Sequence, residues 1–142
     1  MSHIVYFSLG ANIGDKKLTI LRAIDRIGEL IGGVERRSAL YETQPWGFTS
    51  SHSFLNAAVC CCTKLNPREV LAQTQLIEKE LGRTIKSVDG QYQDRVIDID
   101  ILLYDDWQID EDDLKIPHPL MYERDFVMTP LREIMADGGE GW

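Results

Sequence analysis

The sequence predicts an α+β fold in which helices pack on one antiparallel sheet. Three observations lead there. Runs of β-branched and apolar residues at 4–9, 34–41, 54–63 and 96–104 read as strands. Two stretches, 16–31 and 67–81, repeat apolar residues at three- and four-residue steps, the mark of amphipathic helices. Their order, βαβ followed by βαβ, is that of a ferredoxin-like βαββαβ sandwich. The chain has 142 residues, enough for one sizeable core, and neither a repeat nor a linker divides it, so a single domain over 1–142 is expected.

Each element has a local reason. Ile4 to Leu9 form the first strand, and Gly10 to Asp15 a turn whose glycine spacing is wrong for a phosphate-binding P-loop. Asp15 is placed to cap the first helix, with Leu18, Leu21, Ile24, Ile27, Leu30 and Ile31 as its apolar face and Gly32-Gly33 as its stop. Residues 34–41 make the second strand and 42–53 a loop, in which Trp46 and Phe48 need either the protein's own core or a flat ligand to pack on. In the third strand, 54–63, Asn56 is a polar residue inside an apolar run, and its amide needs partners from the backbone or from a ligand. Asn66, Pro67 and Glu69 spell a capping box for the second helix, with Val70, Thr74, Ile77 and Leu81 inward and Gln75 and Glu78 together on the flank. Gly82 ends it, and 83–94 is a long loop of the kind that often serves as a lid. After the strand at 96–104, residues 107–109 read as a short strand returning through an Asp105-Asp106 turn, and the acidic run 110–113 as solvated surface. Pro117-His118-Pro119 is a stiff turn presenting a histidine. A helical turn at 121–127 with Arg124 exposed, a last helix opened by Pro130 and ending near Met135, and a loose glycine-rich tail complete the chain.

Composition narrows the function. No apolar run approaches the roughly 20 residues of a membrane span. The N-terminus shows no basic segment or cleavage site for secretion, so the expected location is cytoplasmic. A net charge of −8 disfavours nucleic acid, whose binding rests on neutralising phosphates. Small-molecule substrates and a monomer are expected. Cys60, Cys61 and Cys62 are adjacent, which suits neither a disulfide framework nor a zinc site; at least one is expected to be a small buried hydrophobe.

The chemistry concentrates in 93–104. Alternation puts Ile97, Ile99, Ile101 and Leu103 on one face and Asp98 and Asp100 on the other, roughly 7 Å apart along the backbone. Two neighbouring carboxylates repel and resist desolvation. They are either the wet face of an edge strand or the ligands of a hard cation such as Mg²⁺, which is commonly held by one or two carboxylates and substrate phosphates. Arg83, Lys86 and Arg95 form a local basic cluster in an acidic chain, suited to one small polyphosphate or simply to solvated loops.

Taken in order, Ser8-Leu-Gly-Ala-Asn, Tyr41-Glu-Thr-Gln-Pro-Trp-Gly, Phe54-Leu-Asn-Ala-Ala-Val, Gln75-Leu-Ile-Glu-Lys-Glu-Leu-Gly-Arg83, Arg95-Val-Ile-Asp-Ile-Asp-Ile-Leu and Ile116-Pro-His-Pro resemble the 6-hydroxymethyl-7,8-dihydropterin pyrophosphokinases of folate biosynthesis. The resemblance covers nearly the whole chain. It implies transfer of pyrophosphate from ATP to a pterin hydroxymethyl group with release of AMP, a ferredoxin-like core and three mobile loops. By motif position it implies that Asp98 and Asp100 hold two Mg²⁺ ions and act in catalysis with Arg83 and Arg95. Gln75, Glu78, Arg83, Tyr92, Arg95, Ile101, His118 and Arg124 would then bind ATP. Thr43, Gln44, Pro45, Trp46, Phe54, Asn56 and Phe126 would bound the pterin. The chain departs from the family pattern at Gln93-Asp94, where Gly-Pro is usual, and at Tyr92, where tryptophan is common. A non-catalytic ligand-sensing module on the same fold and a metal-dependent nuclease or other phosphotransferase using the same acids are the competing readings; the first predicts no dependence on Asp98 or Asp100, and net charge and the aromatic loop argue against nucleic acid.

Overall fold

The computed structural model describes residues 2–43, 53–82 and 96–141, with side chains through residue 135. Strand β1 (His3–Ala11) leads into helix α1 (Lys16–Leu30), then β2 (Gly32–Arg37), β3 (Tyr41–Thr43) and β4 (Phe54–Thr63). Helix α2 (Pro67–Glu80), β5 (Asp98–Tyr104), a hairpin of β6 (Ile109–Glu111) and β7 (Leu114–Ile116), a 3-10 turn (Met121–Glu123) and helix α3 (Asp125–Gly141) follow. The sheet order is β2-β4-β1-β5, every pair antiparallel, with β3 joining β4 beyond the end of β2. This is the ferredoxin-like order that the sequence predicts.

The capping signals work as read. The Asp15 side chain accepts the Leu18 N–H at 3.1 Å. Asn66 accepts from the Glu69 N–H at 2.8 Å while the Glu69 carboxylate accepts the Asn66 N–H at 2.9 Å. Helices α1 and α2 then cover one face of the sheet, burying Ile20, Ala23, Ile24, Ile27, Val70 and Ile77 against Val5, Phe7, Leu9, Val59 and Ile99. Helix α3 covers the other face, where Val127, Met128, Leu131 and Ile134 meet Tyr6, Ala58, Cys60 and Leu102. Cys60 and Cys61 are buried in these two cores as small apolar residues, and burial pushes the Cys61 thiol up to about 12.

Several expectations are corrected. Gly32 and Gly33 do not stop α1; they begin β2, and a Cβ on Gly32 would sit 1.9 Å from the Cys62 carbonyl oxygen, so the glycine permits close strand approach. The segment 34–41 is broken into β2 and β3 rather than one strand. Leu18 is exposed, because α1 turns Ile20 and Ala23 inward instead. A register shift opposite Tyr6 and Phe7 interrupts alternation in β5, so Leu103 packs against the second core and Tyr104 takes its place in the first. The return strand after the Asp105-Asp106 turn pairs with β7, not with β5, and the acidic run is its hairpin, tied by Lys115 to Asp110 at 2.6 Å and by Arg68 of α2 to Asp113 at 2.7 Å. Pro130 lies inside α3, which begins at Asp125. Apolar residues spaced to face the sheet on both sides of the proline outweigh the single hydrogen bond it cannot donate.

Candidate active site

The site forms on the sheet face opposite α1 and α2, along β5, the last strand of the sheet among the described residues. Antiparallel register sets it out strand by strand. Asn56 on β4 pairs with Gly10 on β1, and Gly10 pairs with Asp98 on β5. One step further, Ala58 pairs with Ser8 and Ser8 with Asp100. An amide and two carboxylates therefore share one face across three strands. The predicted alternation of β5 holds here, since Ile97, Ile99 and Ile101 are buried in the first core and the two aspartates are half-buried on the other side.

Asn56 is 3% exposed, and its Nδ2 donates to Thr43 Oγ1 at 2.7 Å. The partner is a side-chain hydroxyl from β3, an option that strand pattern alone does not suggest. Gly10 is the residue that sequence reasoning missed, having been read as the start of a turn. It lies within β1, and a Cβ there would come to 3.2 Å from Asn56 Oδ1 and 3.9 Å from Phe54. Gly10 is buried, and its missing side chain lets the Asn56 amide and the Phe54 ring pack close to the β1 backbone. The sequence signals are its place in the Ser8-Leu-Gly-Ala-Asn stretch and its position two residues after Ser8, on the same face.

A cleft of about 430 Å³ runs along the β5 edge. Asp98 and Asp100 line it, with Gln75 and Glu78 from α2 on one side and His118 and Arg124 on the other. Glu78 is buried, and its Oε2 accepts the Ile99 N–H at 2.8 Å, meeting the backbone edge between the two aspartates. Ile101 packs in the core and reaches a neighbouring cleft of about 260 Å³ that shares Asp100 and His118 with the first.

His118 is fastened by its own backbone. Its N–H donates to the Leu102 carbonyl at 3.1 Å, and its Nδ1 accepts the Leu120 N–H at 3.3 Å. With Nδ1 occupied as an acceptor, the neutral ring carries its proton on Nε2. Burial, reinforced by the Arg124 charge and opposed by Asp98, holds the imidazole below its ordinary pKa. Arg124, expected to be exposed, is half-buried, its guanidinium 5.7 Å from the centre of the Phe126 ring. Phe126 in turn packs half-buried against the second core, on the same side of the sheet as Asn56.

The structure thus gathers Gln75, Glu78, Asp98, Asp100, His118 and Arg124 about one cleft, and places Thr43, Phe54, Asn56 and Phe126 on the adjoining part of the same face. Gln44, Pro45, Trp46, Arg83, Tyr92 and Arg95, together with Phe48 and Lys86, lie outside the described residues.

A family model for 7,8-dihydro-6-hydroxymethylpterin-pyrophosphokinase matches residues 6–136. The chain belongs to this pyrophosphokinase family. Among curated members, the 2-amino-4-hydroxy-6-hydroxymethyldihydropteridine pyrophosphokinase of Porphyromonas gingivalis is 47% identical over 92% of this chain and 90% of its own. The enzyme of that name from Bacillus subtilis is 43% identical over 94% of this chain and 79% of its own. Among solved structures, an HPPK-DHPS in complex with substrates superposes with a TM-score of 0.72 at 16% identity, over 94% of this chain and 40% of that one. Plasmodium falciparum HPPK-DHPS gives 0.73 at 18% identity, over 93% of this chain and 40% of that one. This chain therefore spans about two fifths of those longer proteins, and at such identity the likeness establishes the pyrophosphokinase fold.

Proposed function

We propose that this chain transfers pyrophosphate from ATP to the hydroxymethyl group of 6-hydroxymethyl-7,8-dihydropterin, releasing AMP, as a step of folate biosynthesis. Family membership supports the reaction. The observation that carries it here is the register row Asn56–Gly10–Asp98, which sets a buried amide and a pair of carboxylates on one face of the sheet, with a glycine on the strand between them. A pterin is flat and edged with donors and acceptors, so it suits an amide on its rim and an aromatic ring on its face. In this reading Thr43, Phe54, Asn56 and Phe126, with Gln44, Pro45 and Trp46 of the adjoining loop, hold the pterin. Gln75, Glu78, Ile101, His118 and Arg124, with Arg83, Tyr92 and Arg95, hold ATP.

The donor set fits Mg²⁺. Asp98 and Asp100 offer only hard carboxylate oxygens, and among the described residues no cluster of three His, Cys, Asp or Glu side chains forms a closed cage. Such a site leaves coordination positions for nucleotide phosphates, which is how Mg²⁺ is usually bound. We assign Asp98 and Asp100 as its ligands, with two ions expected. Bound there, the metal would neutralise phosphate charge and polarise the transferred group. The chain's own contribution is placement. The Nε2–H of His118 and the guanidinium of Arg124 offer donors to phosphate oxygens, and Asn56 orients the pterin so that its hydroxyl approaches in line. Little covalent work is left for the protein.

Incubation of the protein with ATP, Mg²⁺ and hydroxymethyl-dihydropterin tests the proposal. AMP and the pterin pyrophosphate should appear in equal amounts. ADP, or no nucleotide product, would reject it.

A further inference from the structure

We propose that Glu133 and Tyr41 form a positioning pair that sets the spacing between the two walls of the pterin slot. The inference rests on the functional reading above, which puts Thr43 and Asn56 in one wall and Phe126 in the other. Neither Glu133 nor Tyr41 has a place in that reading.

The geometry begins with a weakly held strand. Among the described residues, β3 joins the sheet through the pairs Tyr41–Asn56, Glu42–Leu55 and Thr43–Phe54. The connection leading into it is pinned to β4 at Ser38, whose N–H donates to the Ala58 carbonyl at 2.8 Å and whose Oγ accepts the Ala58 N–H at 2.9 Å. From Ala39 onward the partner changes. The Ala39 N–H is shared by the two carboxylate oxygens of Glu133, at 3.0 and 3.2 Å, and the Tyr41 hydroxyl donates to Glu133 Oε1. One carboxylate on α3 thus holds β3 from both sides of residue 40.

Glu133 lies seven residues beyond Phe126, which is close to two helical turns, so both project from the same side of α3. The wall that carries Phe126 and the strand that carries Thr43 are therefore joined by these bonds. Thr43 in turn accepts from Asn56. Apolar burial of Val127, Met128, Leu131 and Ile134 already keeps α3 on the sheet, but such burial has no direction and lets a helix slide. Hydrogen bonds to a charged acceptor are directional and short, and they fix the lateral position. The Glu133 bond also raises the Tyr41 phenol above its ordinary pKa, the direction expected of a hydroxyl that donates to a carboxylate. A slot for a flat ring tolerates little change in width, so its affinity should report the loss of this tie.

Three variants test the pair: Tyr41→Phe removes only the hydroxyl, Glu133→Ala removes the acceptor, and Glu133→Gln keeps a neutral one. Pterin affinity would be measured by calorimetry with a non-hydrolysable ATP analogue present, and KM for each substrate from AMP release. Tyr41→Phe should weaken pterin binding by about tenfold or more, the factor matching one hydrogen bond to a charged acceptor. Glu133→Ala should weaken it further, while Glu133→Gln recovers most of the affinity. KM for ATP should stay within about twofold throughout, which loss of fold alone would not produce. Unchanged pterin affinity in Tyr41→Phe and Glu133→Ala would overturn the proposal, and so would equal weakening of both substrates with a lowered melting temperature. A wild-type protein that makes no AMP would overturn the functional reading itself, and this inference with it.

Discussion

The Glu78 carboxylate accepts the backbone N–H of Ile99, the residue that separates Asp98 from Asp100. Among the described residues β5 pairs in the sheet with β1 alone, so no described strand meets this amide on its outer side. A buried N–H left without an acceptor is costly. Glu78 therefore fixes the short stretch of backbone from which both aspartates project. Glu78→Ala is expected to destabilise the fold by about 1.5–3 kcal/mol, the range for a hydrogen bond to a charged group. Glu78→Gln, which keeps an acceptor, should lose clearly less. Urea unfolding of both variants is the check, and equal losses would mean that the bond to Ile99 is not what Glu78 contributes.

The two aspartates should behave in the opposite way. They share one face two residues apart, where like charges repel. Asp98→Ala and Asp100→Ala are each expected to cut AMP release by about 100- to 1000-fold, the scale of a lost electrostatic contact in a transition state. The melting temperature of the ligand-free protein should hold or rise. A variant that keeps wild-type turnover at saturating Mg²⁺ would remove that residue from the metal assignment.

Gly10→Ala probes the close packing of the Asn56 amide on the β1 backbone. The added Cβ would stand 3.2 Å from Asn56 Oδ1, close enough to push the amide aside by a few tenths of an ångström. Its φ is not of the left-handed kind, so the backbone itself should accept alanine. We expect near-normal stability with kcat/KM for the pterin down by about tenfold or more, as one methyl group can do in a fitted pocket. Steady-state kinetics with the pterin varied at saturating ATP decide the point.

His118 gives the fold a pH dependence. Burial, with the Arg124 charge adding to it, depresses the folded-state pKa below the value of about 6.5 in the unfolded chain. The unfolded chain therefore binds the proton first as pH falls. The His118 contribution to stability is complete above about 6.5 and is lost as pH falls through the depressed folded value. Denaturation midpoints of the ligand-free protein between pH 7.5 and pH 5 should decline, and His118→Gln should flatten part of that decline. An identical slope in the variant would assign the pH dependence to other groups.

Much of this site was legible because its chemistry is local. Strand alternation alone put Asp98 and Asp100 opposite Ile97, Ile99 and Ile101, and Asn66 with Glu69 announced α2. What stayed hidden depends on partners far away in the chain. The fault in β5 that turns Leu103 over arises from pairing with Tyr6 and Phe7, and no pattern within β5 marks it. Gly32 reads as a helix stop until the Cys62 carbonyl is seen beside it. Pro130 reads as a helix start because proline favours the first turn; only the second core on the far sheet face explains why α3 begins at Asp125. Thr43 as the partner of Asn56 requires the pairing of β3 with β4.

The row from Asn56 through Gly10 to Asp98 also bears on how such a protein could change its substrate. Two strand spacings, roughly 10 Å, separate the outer members, and that span is set by main-chain pairing common to every sheet. No side-chain replacement can lengthen or shorten it. Drift toward larger or smaller ligands would have to come from the segments flanking the row, while the gauge between Asn56 and the aspartates stays that of the backbone itself.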